Sequence, residues 1–111
     1  MAKNKNEYPF HFRRYKKEEG GDKKRAKHPK LIVDESRNEF VFMGLTESPK
    51  RGHHKNIPLS KNPRKGDQRN AYIRDEVRRD SKSFFGGRLS DYRLSRRDEK
   101  MITEHLAKKK K

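Results

Sequence analysis

Two short apolar runs, residues 29–33 (PKLIV) and 40–45 (FVFMGL), constrain the fold of this chain more than any other feature. Only 27% of its 111 residues are hydrophobic and 43% are charged, so a core has to be built around these runs. Both are shorter than an ordinary helix and rich in β-branched and aromatic residues, which predicts buried strands. The stretch between them, Asp34-Glu35-Ser36-Arg37-Asn38, carries turn chemistry, so the two runs are expected to pair as a hairpin.

The remaining segments are read around that hairpin. In residues 8–15 (YPFHFRRY), Tyr8, Phe10 and Phe12 alternate onto one face, a strand that Pro9 confines to a strand start or a sheet edge. Residues 16–27 (KKEEGGDKKRAK), 46–55 (TESPKRGHHK) and 60–68 (SKNPRKGDQ) read as polar loops, with a short strand at 57–59. Residues 71–77 (AYIRDEV) alternate as a half-buried strand does, and 84–87 (FFGG) form a turn with hydrophobic anchors. Ser95 opens a C-terminal helix: Ser-Arg-Arg-Asp approximates a capping box with Asp98 at its third position. Met101, Ile102, His105 and Leu106 then share one helical face, and the lysines at 108–111 suit the negative end of the helix dipole. The expected architecture is mainly β, a small, strongly bent sheet or barrel with one C-terminal helix. A single domain is expected over residues 8–107, between a flexible basic start (1–7) and a basic tail (108–111). The composition is close to that of disordered chains, but six phenylalanines and four tyrosines argue for an ordered core.

Charge bounds the partner. Lys and Arg number 32 against 16 acidic residues, a formal net charge of +16. Neutralising phosphates releases their condensed counterions, so a nucleic acid is the natural polyanion for such a chain, RNA ahead of DNA. A membrane surface is disfavoured. Ala2 stands where a myristoylation signal needs glycine, and no stretch approaches the roughly 20 apolar residues of a spanning helix. With no apolar segment after the first lysines, the expected location is cytoplasmic. The absence of cysteine excludes disulfides and thiolate metal sites. Phosphate contacts are expected from Lys27, Lys30, Lys50, Arg51, His53, His54 and Lys55. Arg64, Lys65 and Arg69 extend that set, and Tyr8, Phe10 or Tyr72 are candidates for stacking on bases.

No metal, phosphate-loop, dinucleotide or serine-hydrolase motif is present, and the adjacent His53 and His54 diverge on any regular backbone. No cofactor is expected. RNA, however, carries its own nucleophile in the 2′-OH. A protein cleaves it by taking that proton, stabilising the phosphorane and protonating the leaving 5′-oxygen. His28, Thr46, Arg74 and the neighbouring carboxylates Asp75 and Glu76 have the chemistry for such work.

The order of these segments resembles the PemK/MazF family of toxin endoribonucleases. The aromatic strand YPFHF is followed by a charged, Gly-containing loop. The sequence His28-Pro29-Lys30-Leu31-Ile32-Val33 then stands where that family has Arg-Pro opening an apolar strand. Leu45-Thr46 is similar to the apolar-Thr end of its next strand. Residues 71–79 (AYIRDEVRR) are similar to a later strand that runs into Arg, an acidic residue and a basic one, and a C-terminal helix closes both. The resemblance implies an SH3-like barrel, a homodimer, an acidic antitoxin-like partner, and metal-independent cleavage of single-stranded RNA. It places the catalytic Thr on Thr46, the Arg on Arg74, and the acidic residue on Glu76 or Asp75. Arg79 joins Thr46 in positioning the phosphate. His28 replaces the family's Arg and is itself a competent acid or base near neutral pH, so His28 or Arg74 takes the proton-transfer role. The alternative is a non-catalytic RNA- or DNA-binding module, a mobile-element accessory or ribosome-associated protein.

Overall fold

The expected hairpin forms the centre of the molecule. A computed structural model describes residues 9–16 and 28–109. Expectations for residues 1–7, Tyr8, Lys27 and the final two lysines, and for all of the first charged loop except Lys16, lie outside the described residues. β1 (His11–Arg13), β2 (Lys30–Glu35) and β3 (Glu39–Thr46) run antiparallel in sequence order. Register in the central pair sets Lys30 opposite Gly44, Leu31 opposite Met43 and Ile32 opposite Phe42. It then slips so that Asp34 faces Val41, which makes Val33 the extra residue of a β-bulge.

Because side chains alternate along a strand, β3 serves two cores at once. Met43 and Leu45 join Leu31, Val33, Phe12 and Ile73 on one face, where Leu94, Ile102 and Leu106 cover them. The last two lie on α1 (Arg96–Lys109), the C-terminal helix, and are buried as their spacing predicts. Phe40 and Phe42 point the other way, with Ile32, and are capped by Phe85. The Phe85 ring meets those of Phe40 and Phe42 edge-on at 5.2 and 5.3 Å. Each such buried side chain contributes about 1.5–3 kcal/mol.

Four further short strands follow: β4 (Lys50–Arg51), β5 (His54–Lys55), β6 (Ile57–Pro58) and β7 (Tyr72–Ile73). β8 (Arg78–Ser81) leads into a 3₁₀ turn, Lys82–Phe84. The main sheet has the order β1-β2-β3-β7-β6, and β8 also pairs with β3. Among the described residues the fold is therefore mainly β, six strands in one sheet and two in a second, with one C-terminal helix. No helix among them is long and apolar enough to cross a membrane.

Three local expectations are corrected. The strand expected over 71–77 stops at Ile73 and pairing resumes only at Arg78. Between them only Val77 is apolar, and it is 43% exposed, so past the Arg74 amide no buried side chain keeps residues 75–77 on the sheet. The loop expected over 46–55 contains the β4–β5 hairpin. Its Gly52 has a φ of 59°, and among the described residues no non-glycine has a positive φ, so Gly52-His53 is a type II′ turn suited to the strand twist.

The third correction concerns the capping box. Ser95 caps α1, its Oγ accepting from the Asp98 amide at 3.2 Å. Asp98 does not reach back to Ser95. Its carboxylate, 1% exposed, accepts from the amides of Ser60 at 2.9 Å and Lys61 at 3.3 Å, fastening the helix to the loop after β6. Asp98→Ala leaves two inward amides without their acceptor. It should cost about 1–3 kcal/mol in urea unfolding, whereas a loss below about 0.5 kcal/mol would mean the amides find water instead.

Candidate functional site

The site lies where β3 changes partners. Its first half, residues 39–42, pairs with β8, and its last residues, Leu45 and Thr46, pair with β7. Past Phe42 the face capped by Phe85 continues to Gly44, which has no side chain, and then to Thr46. Paired residues share a face, so Lys30 on β2 flanks Gly44 on one side. Arg74 flanks it on the other, its amide donating to the Gly44 carbonyl at 2.8 Å. A Cβ on Gly44 would lie 3.3 Å from Arg74 Cδ, so the arginine stem crosses above the glycine. The result is a cleft of about 70 Å³ whose lining includes His28, Lys30, Gly44, Arg74, Glu76 and Arg78.

Charge in this cleft is predominantly positive. Lys30, on the strand expected over 29–33, is only 6% exposed. Its ammonium donates to the His28 carbonyl at 2.8 Å and lies 4.4 Å from the centre of the Tyr15 ring, a cation–π contact. Tyr15 is held in turn by its hydroxyl, which donates to Asp80 Oδ2 at 2.8 Å. Partial burial pushes His28 below the ordinary value of 6.5, and the Lys30 and Arg74 charges push it further, against a weaker pull from Glu47. Each of these effects but the last favours the neutral imidazole.

The two acidic candidates separate. Asp75 Oδ1 lies 2.9 Å from Nε2 of His105 on α1, whereas Glu76 lines the cleft. The two arginines separate as well. Arg78 pairs with Phe42 and so shares the cleft face, while Arg79 pairs with Val41 and points away, 3.7 Å from Glu39. Arg79 was expected to help position a phosphate; the strand's parity sets it on the opposite face, and Arg78 lines the cleft.

Thr46 is 9% exposed and accepts from the Ser48 amide through Oγ1 at 3.1 Å. It lines a second cleft of about 400 Å³, which His28 also lines, so the histidine stands between the two. Arg64 and Arg69 reach this second cleft, where Arg69 binds Asp67 Oδ2 at 2.7 Å and Glu47 Oε2 at 3.2 Å. The guanidinium and the backbone amide of Arg69, both donating to Asp67, hold its carboxyl down at about 2.

Arg51, His53, His54 and Lys55 border a third, open depression together with Arg74 and Glu76. Lys50 is exposed on β4, and Lys65 is exposed on the 62–69 loop. Phe10 packs against the core and Tyr72 is half-buried between Thr46 and Pro58, which limits both as stacking platforms. Among the described residues no group of three or more His, Asp and Glu side chains is placed to hold a metal ion.

Sequence reading missed Gly44, Tyr15, Arg78, Glu47 and Tyr92. Only Arg78 had a usable signal, the parity of its strand, and that needed the register with β3. No family model, curated protein or solved structure matches the chain.

Proposed function

We propose that this protein is a metal-independent endoribonuclease of the toxin–antitoxin type that cuts single-stranded RNA through attack of the 2′-OH. One observation carries the reading: Lys30 and Arg74 flank the bare floor at Gly44, with His28 and Glu76 lining the same cleft. Two cations across a side-chain-free floor suit a phosphate, and a neutral imidazole beside them suits proton abstraction. His28 takes the 2′-OH proton as the 2′-oxygen bonds to phosphorus. Lys30 and Arg74 stabilise the phosphorane charge. The bond to the 5′-oxygen then breaks as that oxygen takes a proton from solvent, and His28 returns to solvent the proton it took, while Arg74 stays charged throughout. Glu76 orients Arg74, and Thr46 positions the strand. The resemblance to PemK/MazF toxins supports the same roles and adds a homodimer, an acidic antitoxin-like partner and a cytoplasmic setting.

The test is incubation with mixed-sequence RNA, with and without EDTA, followed by end-group analysis. Ends bearing 2′,3′-cyclic phosphate and 5′-OH, formed equally in EDTA, are the expected products. The active form of His28 is unprotonated and its pKa is lowered. Cleavage should therefore rise with pH along a limb centred below 6.5 and level off before neutrality. Intact RNA under all these conditions would leave the second reading, a non-catalytic RNA- or DNA-binding module. The exposed basic β4–β5 hairpin favours that reading, which predicts steeply salt-dependent binding alone.

A further inference from the structure

We infer that the second cleft is a base-reading subsite, which seats the base next to the scissile phosphate and selects bases that carry an amino group. The inference rests on the ribonuclease reading and names what its substrate must present. Three observations point to it.

The first is electrostatic. Lys30, Arg74 and Arg78 line the phosphate cleft with Glu76 as its one acidic residue. In the second cleft two arginines, Arg64 and Arg69, are balanced by two carboxylates, Glu47 and Asp67, both of which engage Arg69. A phosphate there would meet Glu47; a neutral, hydrogen-bonding ring would not be repelled. The second observation is size and continuity. At about 400 Å³ the cleft falls in the range of about 300–1,000 Å³ typical of small-ligand sites. His28 lines both clefts, so a nucleotide whose phosphate sits over Gly44 has its base within reach of the second.

The third is the ordering of the groups. The loop carrying Arg64 and Asp67 is pinned to the segment around Tyr92: the Lys65 amide donates to Asp91 O and the Arg93 amide to Pro63 O, both at 2.8 Å. Asn62 braces the loop from within, accepting from the Arg64 amide and donating to the Arg69 carbonyl, each at 2.9 Å. Arg69 then fixes the Glu47 carboxylate, and the Tyr92 ring lines the same cleft. A carboxylate accepts from the amino group of cytosine, adenine or guanine; on uracil it meets only the imide N–H, flanked by two carbonyl oxygens that repel it. Sites built around one such hydrogen bond reject the analogue that lacks it.

Two arms test this. In the first, cut sites are mapped in a random-sequence RNA pool with the wild-type protein and with Glu47→Gln. The wild type should avoid uracil at one position flanking the cut by about fivefold or more, and Glu47→Gln should reduce that bias to within about twofold. In the second arm, anisotropy compares C12 and U12 oligoribonucleotides. The wild type should prefer C12, and Glu47→Gln should bind both alike.

Cleavage with a flanking bias that Glu47→Gln leaves intact overturns the subsite while the ribonuclease reading stands. Absence of any uracil bias does the same. A C12 preference that vanishes in Glu47→Gln, in a protein that cuts nothing, upholds the subsite and removes the ribonuclease.

Discussion

Arg74→Ala is expected to slow RNA cleavage by about 10²–10³-fold while weakening RNA binding far less, because it removes a donor aimed at charge that develops only in the transition state. The guanidinium is carried on a backbone amide bonded to Gly44 O, and its stem crosses that glycine, so the charged end is placed from two points. Lys30, across the floor, keeps a second positive charge in the cleft, which is why binding survives. Arg74→Lys should recover little, since an ammonium does not reproduce the two-pronged contact of a guanidinium with phosphate. Single-turnover kinetics beside anisotropy titrations over a salt series separate the outcomes. The salt slope should fall by about one phosphate contact. Cutting and binding that decline in parallel would reduce Arg74 to a phosphate contact.

The second large effect is expected at a residue with no chemistry of its own. Gly44→Val should abolish cleavage and leave the melting temperature unchanged or higher. A Cβ at this position lies 3.3 Å from Arg74 Cδ and 3.7 Å from its Cγ, and the valine methyls extend further over the floor, displacing the stem and filling the space for phosphate. The backbone does not oppose the change. Gly44 has no positive φ, in contrast to Gly52 and Gly66, so valine adopts its conformation without strain. Glycine inside a strand is costly by about 0.5–1 kcal/mol relative to alanine, and valine is a good strand former. A glycine that lowers strand stability at the centre of the sheet is explained by the cleft it leaves open. Circular-dichroism melting and cleavage assays of the same preparation test this; retained activity in a well-folded Gly44→Val protein would falsify the placement of the phosphate.

Local patterns made much of the architecture legible. The hairpin was written in two apolar runs around a turn, with alternation along 40–45 dividing Phe40 and Phe42 from Met43 and Leu45. The helix was written in the Ser95 cap and the spacing of Ile102 and Leu106. Local reading failed where a distant partner decided the outcome. Asp98 bonds to amides 37 and 38 residues away rather than to its own cap. The 71–77 alternation is broken because β3 exchanges β7 for β8 across that stretch.

The candidate site divides along the same line. The +16 charge pointed to a polyanionic partner, and the resemblance in segment order, not composition, singled out His28, Thr46, Arg74 and a neighbouring carboxylate as candidate reactive groups. Their arrangement could not be read from the chain. Lys30, Gly44 and Arg74 stand side by side because three strands meet in one register, and a slip of one residue would turn each side chain to the opposite face. That register is set by the burial of Leu31, Met43 and Ile73 beneath α1 and of Phe42 beneath Phe85, contacts between segments far apart in the sequence. Burial on both faces of β3 therefore decides that Arg78 rather than Arg79 enters the cleft, and that Glu76 lines it while Asp75 is held by the helix.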